Sequence, residues 1–135
     1  MDRLYLDSNA VIFMHEGPTA FQSAIAKILA LLQQTGPALF LTSRLARLEC
    51  RIHPLKNADA TLLQLYDDFF DADRLELLEV TPPIIERATD LRVKYGFKTP
   101  DAIYLATAIE HNATVFLTGD AKLKRCTELQ VDVFI

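Results

Sequence analysis

Residues 98–111 read KTPDAIYLATAIEH, and this segment is the most informative part of the 135-residue chain. Thr99 is a suitable capping residue, Pro100 suits the first helical position, and Asp101 places an acid in the first turn. The residues after Asp101 are apolar on nearly every side of the helix, which is typical of a buried helix. The segment therefore predicts a buried helix with an acid in its first turn.

A first-turn acid also has a purely structural explanation. It stabilises the helix dipole by about 0.3–1 kcal/mol. Taken alone, Asp101 favours that explanation. A functional interpretation depends on where three other acids of the chain fall.

The composition is that of an ordinary globular protein. Half of the residues are hydrophobic and 24% are charged, and the length suits a single domain, residues 1–135, with a sizeable core. The net charge of −4 argues against a protein that coats nucleic acid through a basic surface. It does not exclude an enzyme that holds nucleic acid through bound metal and a local basic patch.

Nothing in the sequence indicates export or membrane insertion. The first four residues, MDRL, do not form a signal peptide, and the longest apolar run, 24–32, contains Lys27 and is too short to span a bilayer. Cys50 and Cys126 lack metal-ligand spacing and are expected to be buried or inert reduced thiols. We therefore expect a cytoplasmic protein that does not associate with a membrane.

Short apolar strands alternate with helices along the chain. The predicted strands are 4–6, 38–42, 75–80, 114–118 and 131–134. The predicted helices are 10–14, 20–34, 43–52, 58–70, 82–95, the segment that begins at 99, and 121–125. This alternation predicts an α/β fold of three layers, with a mainly parallel central sheet of four to five strands and helices on both faces. Ligands of such sheets bind beyond the carboxyl ends of the strands.

Three acids are predicted at that edge of the sheet. Asp7 follows the first strand and Asp120 follows the fourth, so parallel strands place both carboxylates at the same edge. The helix that begins near Asp101 joins the fourth strand through a few residues, which makes helix and strand antiparallel neighbours. The start of that helix therefore returns to the edge and brings Asp101 beside Asp120.

Glu49 is the fourth acid. Its helix starts at the same edge, after the second strand, and Glu49 lies about 9 Å along the axis. At 100° per residue, helix phase groups Glu49 with Leu45, Leu48 and Ile52 on the face expected to point inward. An inward acid should be paired, protonated or bound to metal.

Four carboxylates in one crevice indicate a metal site. They repel one another, and without a cation some of them would stay protonated. Hard divalent cations take oxygen ligands, and Mg²⁺ in particular is held by a few carboxylates while it keeps several waters. No set of His and Cys residues offers a zinc site. Metal sites in which carboxylates hold Mg²⁺ or Mn²⁺ in an open crevice commonly catalyse phosphodiester hydrolysis.

The ordered set of these motifs is similar to that of a known family. It comprises DSN at 7–9, Glu49 on the helix after the second strand, TPDA at 99–102, and TGD at 118–120. Together they resemble the PIN domain family over essentially the whole chain. In size and order they look most like the VapC-type toxins of bacterial toxin–antitoxin pairs.

The resemblance implies a metal-dependent endoribonuclease. One or two Mg²⁺ or Mn²⁺ ions would be bound, directly or through water, by the four catalytic acids: Asp7, Glu49, Asp101 and Asp120. A metal-bound water would attack the phosphorus in line, and cleavage would leave a 5′-phosphate and a 3′-hydroxyl. Asn9 and Thr118 match polar positions that help to orient the site. The family also implies a homodimer and a cognate antitoxin that covers the crevice.

Basic residues near the predicted crevice are candidates for contact with RNA or with a protein partner. Arg44, Arg47 and Arg51 form a stripe on the helix that carries Glu49, and Lys122 follows the fourth strand closely. A solvated surface explains both groups at least as simply. Both interpretations stay open on the sequence alone.

Two other functions fit the sequence less well. A phosphatase with Asp7 as nucleophile usually has a second acid two residues on, where this chain has Asn9. A receiver-like signalling domain needs an acidic pair after the first strand and an aspartate after a middle strand, and here Val80 and Thr81 end the third strand. A non-toxin PIN nuclease in RNA processing, or a catalytically silent PIN-like binding module, remains as the alternative, because fold does not fix function.

Overall fold

The computed structural model describes residues 2–34 and 36–135, so Met1 and Thr35 lie outside the description. Its described residues form one sheet of five strands: β1 (Asp2–Leu6), β2 (Ala38–Ser43), β3 (Leu75–Leu78), β4 (Val115–Thr118) and β5 (Gln130–Val133). The strand order is β3-β2-β1-β4-β5, and all neighbouring strands are parallel. The predicted parallel sheet is confirmed.

Helices connect the strands and cover both faces of the sheet. They are α1 (Ser8–Glu16), α2 (Thr19–Leu32), α3 (Arg44–Lys56), α4 (Ala60–Phe70), α5 (Pro82–Tyr95) and α6 (Thr99–Glu110), followed by a short 3₁₀ helix, Ala121–Arg125. Within the described ranges, none of these helices combines the length and the apolar character that a membrane crossing needs.

The two faces of the sheet have separate hydrophobic cores because successive strand residues point to opposite sides. Tyr5 of β1 packs into the core beneath α5 and α6. Leu6, the next residue, packs into the core formed with α1, α2 and α4. The resulting order of helix layer, sheet and helix layer confirms the predicted three-layer α/β fold.

Several helix boundaries differ from the prediction; helix α1, for example, covers Ser8–Glu16 rather than 10–14. Helix α3 continues through Pro54 to Lys56, beyond its predicted end at residue 52. Pro54 is buried and lies in the last turns, where its ring removes a single backbone donor from the helix. Helix α6 begins at Thr99, so Lys98 occupies the capping position and Pro100 the second helical position.

Candidate metal centre

The carboxyl ends of β1 and β4 lie side by side, and they bring two of the acids to one edge. Leu6 of β1 is in register with Leu117 of β4. The backbone N–H of Asp7 donates to the Leu117 carbonyl over 3.0 Å, which extends the pairing by one residue. Asp7 therefore leaves the sheet level with the end of β4, and Asp120 leaves it just beyond.

Asp7 is only 1% exposed, and both of its carboxylate oxygens accept hydrogen bonds. Oδ1 accepts from the backbone N–H of Ser8 over 2.8 Å at the start of α1, where Asp7 is the capping residue. Oδ2 accepts from the hydroxyl of Thr118 over 2.8 Å. These bonds hold the carboxylate in one orientation at the junction of β1, α1 and β4.

Asn9 and Thr118 tie the segment after β4 to α1. The Thr118 hydroxyl oxygen accepts the backbone N–H of Asp120 over 3.0 Å. The side-chain oxygen of Asn9 accepts the backbone N–H of Gly119 over 2.9 Å. The two residues expected to support the site thus fix the backbone that carries Asp120.

Asp101 and Asp120 line one cavity of about 170 Å³. Asp101 comes from the first turn of α6, while Asp120 caps the 3₁₀ helix by accepting the backbone N–H of Lys122 over 3.0 Å. Lys98, Lys122 and Arg125 line the same cavity. It therefore combines two carboxylates with three cationic side chains.

The prediction that Leu48, Glu49 and Ile52 lie on the buried face of α3 is wrong. Leu48 and Ile52 are 56% and 54% exposed, whereas Ala46 and Cys50 are buried. These small side chains are four residues apart and so share one face of the helix, through which α3 packs closely on its neighbours. Glu49 lies at the margin of that face and is half-buried rather than inward.

Glu49 nevertheless reaches towards the other acids, because Tyr104 of α6 donates a hydrogen bond to its Oε1. Tyr104 was not recognised from the sequence as part of the site. The helical spacing could have indicated it, because Tyr104 lies three residues after Asp101 and residues three apart share a helix face. A tyrosine in an otherwise apolar helix also needs a partner for its hydroxyl.

The acids affect one another electrostatically. Burial, followed by the nearby charges of Asp101 and Glu49, raises the pKa of Asp7 to about 7, although the bonds from Thr118 and Ser8 oppose the rise. Burial and the charge of Asp120 likewise raise the pKa of Asp101. With a pKa near 7, the metal-free Asp7 keeps part of its proton at neutral pH, and a cation bound nearby would displace it.

The donor set suits magnesium or manganese with water completing the coordination. Across residues 2–34 and 36–135, no three Asp, Glu, His or Cys side chains lie close enough together to hold a metal ion. Mg²⁺ commonly binds proteins through one or two carboxylates, retained waters and substrate phosphates. The pair Asp101 and Asp120 meets that requirement, and all the nearby acids are hard oxygen donors.

The arginines of α3 are occupied by ion pairs on the surface. Arg44 contacts Glu79 over 2.6 Å, and Arg47 and Arg51 contact Asp67 over 3.8 and 2.9 Å. These pairs partly neutralise the basic stripe. Lys122, in contrast, lines the cavity of Asp101 and Asp120.

The sequence as a whole matches one protein family. The model of the PIN domain matches residues 4–129, which include all four acids. The chain is a member of the PIN domain family. Family membership indicates a nuclease. No curated protein sequence matches this one.

Solved structures with the PIN fold resemble the chain over almost its full length. VapBC2 from Rickettsia felis, bound to a DNA fragment from its promoter, is 20% identical with a TM-score of 0.76, and covers 97% of this chain and 98% of that one. A toxin–antitoxin complex from Klebsiella pneumoniae is 21% identical with a TM-score of 0.75, and 98% of each chain is covered.

The VapC20 toxin of Mycobacterium tuberculosis, a Sarcin-Ricin loop cleaving toxin, also shares the fold. It is 13% identical with a TM-score of 0.66, and the match covers 84% of this chain and 86% of that one. At these identities the structural likeness establishes the PIN fold and no finer property.

Proposed function

We propose that this chain is a metal-dependent endoribonuclease and the toxin of a type II toxin–antitoxin pair. The observation that carries the proposal is the cavity in which Asp101 and Asp120 face Lys98 and Lys122, beside the buried Asp7. Carboxylates that hold a cation, next to lysines that can meet a phosphate, suit the hydrolysis of a phosphodiester. The PIN family and the VapC toxins that share this fold support the same activity.

The four acids would hold one or two Mg²⁺ or Mn²⁺ ions. Asp101 and Asp120 are the candidates for direct contact, and Asp7 and Glu49 would act directly or through water. A bound divalent ion supplies a more acidic water and neutralises charge on the phosphate oxygens during hydrolysis. This assignment agrees with the all-oxygen donor set of the site.

The remaining side chains would prepare the site and bind the substrate. Asn9 and Thr118 hold the backbone of Asp120 in place through hydrogen bonds. Lys98 and Lys122 would meet phosphates of the RNA at the mouth of the cavity. The product would carry a 5′-phosphate and a 3′-hydroxyl, as the family resemblance implies.

The proposed partners follow from the similar structures. The similar Klebsiella pneumoniae structure is a toxin–antitoxin complex, so we propose a cognate antitoxin that covers the crevice. We also propose a homodimer in the cytoplasm. Arg44, Arg47 and Arg51 remain candidates for contact with RNA or partner, although each has an acidic neighbour on the same surface.

The alternative is a PIN nuclease that processes RNA without being a toxin, or a silent PIN-like binding module. The four acids favour an active enzyme over the silent module. Growth arrest on expression, relieved by a protein encoded by a neighbouring small gene, would distinguish a toxin from a processing enzyme.

RNA cleavage tests the enzymatic part directly. Wild type should cleave single-stranded RNA with Mn²⁺ or Mg²⁺ and lose this activity with EDTA. Asp101→Asn and Asp120→Asn should each reduce kcat by at least about a hundredfold, consistent with the loss of charge stabilisation at a metal site. Asp90→Asn, which alters an exposed acid of α5, is the matched control. Cleavage by both site variants at the wild-type rate would contradict the proposal.

A further inference from the structure

A side-chain hydrogen bond between Glu49 and Tyr104 links helices α3 and α6. The Tyr104 hydroxyl donates to Oε1 of Glu49. Among residues 2–34 and 36–135, no hydrogen bond or ion pair involves Oε2 of the same carboxylate. One oxygen of Glu49 is therefore held by the protein, and the other stays available.

The two residues differ in how firmly the fold holds them. Tyr104 is 1% exposed and packs in the core beneath α6 with Leu105 and Phe116. A buried aromatic ring in a close-packed core has one orientation. Glu49 is half-buried on a helix whose adjacent Leu48 is exposed, so its longer side chain has rotamer freedom unless something restrains it.

Tyr104 also connects Glu49 to the rest of the acidic site. It lies one turn after Asp101 on α6, and residues three apart lie on one face of a helix. The charge of Glu49 contributes to the raised pKa values of both Asp7 and Asp101, so its carboxylate acts on both of them electrostatically. One helix thus carries Asp101 and restrains the acid that comes from α3.

We propose that Tyr104 is a positioning residue for the nuclease site: its hydroxyl holds Glu49 so that Oε2 faces the crevice shared with Asp7 and Asp101. This inference rests on the proposed function. Hydrogen bonds to ligating carboxylates orient them, and their loss typically costs about 10- to 100-fold in metal affinity or activity. Tyr104 would act on the metal through Glu49 and would not touch it.

Tyr5 provides a matched control within the same core. It is fully buried, stacks on Phe116 with ring centroids 5.0 Å apart, and belongs to the same hydrophobic cluster as Tyr104. Its hydroxyl is a buried side-chain atom with no hydrogen-bond partner in the described residues. Tyr5→Phe therefore removes a similarly buried hydroxyl that makes no hydrogen bond to a carboxylate in the part of the chain that the structure describes.

The test compares Tyr104→Phe, Tyr5→Phe and wild type by Mn²⁺ titration calorimetry and by RNA cleavage. Tyr104→Phe should bind Mn²⁺ about 10- to 100-fold more weakly and lose a similar factor in kcat. Its KM for RNA should change less than about twofold, because the RNA-contacting lysines are untouched. Tyr5→Phe should match wild type in both assays. Melting without metal verifies that both variants are folded, which is expected because each loses one hydroxyl.

A double-mutant cycle separates positioning from a general structural role. If Tyr104 acts through Glu49, adding Tyr104→Phe to Glu49→Gln should cause no further loss of Mn²⁺ affinity. An additional loss in the double variant would overturn the inference, because it would show an effect independent of Glu49.

The remaining outcomes are equally decisive. Wild-type affinity and kcat in Tyr104→Phe, or tighter Mn²⁺ binding, would overturn the positioning role while leaving the nuclease intact. A wild-type protein that neither binds Mn²⁺ nor cleaves RNA would overturn the proposed function, and the role of Tyr104 with it.

Discussion

The hydroxyl of Thr118 donates a hydrogen bond to Oδ2 of Asp7 over 2.8 Å, and so links the end of β4 to the end of β1. The same hydroxyl oxygen accepts the backbone N–H of Asp120 over 3.0 Å. One side chain therefore holds two of the acids in relation to each other. Because Thr118 is fully buried, no water can replace these bonds without a rearrangement.

Thr118→Val should destabilise the protein more than an ordinary loss of a hydroxyl. It leaves Oδ2 of the buried Asp7 carboxylate and the N–H of Asp120 without partners, while Oδ1 keeps its bond from Ser8, and this costs about 1–3 kcal/mol. Thr107→Val is the matched control, since the buried Thr107 hydroxyl donates to the Ile103 carbonyl within α6 and its loss leaves no new group unpaired. Urea unfolding at pH 8 measures both variants. Equal losses in the two would contradict the linking role of Thr118.

Asp7→Asn should stabilise the metal-free protein at alkaline pH. The pKa of Asp7 is raised to about 7 by burial and by Asp101 and Glu49, whereas an unfolded aspartate has a pKa of about 4. The folded state therefore binds the proton more tightly, and wild-type stability falls as the pH rises through about 7. Asparagine carries no charge and should avoid that fall.

Unfolding free energies measured from pH 5 to pH 8.5 test this prediction. The advantage of Asp7→Asn over wild type should grow from about pH 5 to about pH 7, because over this range only the folded state keeps the Asp7 proton, and it should then level off at about 1–3 kcal/mol up to pH 8.5. It should shrink or reverse at pH 5, where Asp7 is protonated in the folded state. A constant difference across this range would show that the charge of Asp7 is not the cause.

Much of the fold could be predicted from the sequence because local signals agreed with the global arrangement. Apolar runs gave the strands, and short connections placed Asp7, Asp101 and Asp120 at one edge. These acids lie directly after strands or in the first turn of a helix, so topology alone determines their location.

The location of Glu49 could not be predicted from topology in the same way. Its position depends on the rotation of α3 about its axis, and the apolar residues Leu48 and Ile52 indicated the wrong buried face. The helix packs through small residues such as Ala46 and Cys50, whose contribution depends on close approach rather than on hydrophobicity. Tyr104 was missed for a related reason: its hydroxyl partner comes from another helix, and only tertiary packing brings the two together.

Lys122→Ala should weaken RNA binding without weakening metal binding. Lys122 lines the cavity of Asp101 and Asp120, whereas Lys124 of the same 3₁₀ helix does not. Loss of one phosphate contact should lower the slope of log affinity against log salt by about 1. RNA binding by an Asp120→Asn protein, which should not cleave, measures this slope at several salt concentrations.

Lys124→Ala is the control for that experiment. It removes the same charge from the chain but not from the cavity, so its salt slope should equal that of the parent protein. If Lys122→Ala and Lys124→Ala lower the salt slope of RNA affinity equally, the result would contradict a contact between Lys122 and a phosphate. It would show that only the net charge of the protein affects RNA binding.

The central claim is that the acids at the carboxyl edge form a divalent metal site, and melting with and without Mn²⁺ tests it most directly. Mn²⁺ at 100 times its Kd should stabilise wild type by about 2.7 kcal/mol through ligand linkage. Asp101→Asn should weaken that gain, yet it should stabilise the metal-free protein, because it removes a half-buried charge that Asp120 repels. The opposite result, in which Mn²⁺ leaves wild type unchanged and Asp101→Asn causes only the small loss of a helix-dipole contact, would contradict the metal site and the nuclease that depends on it.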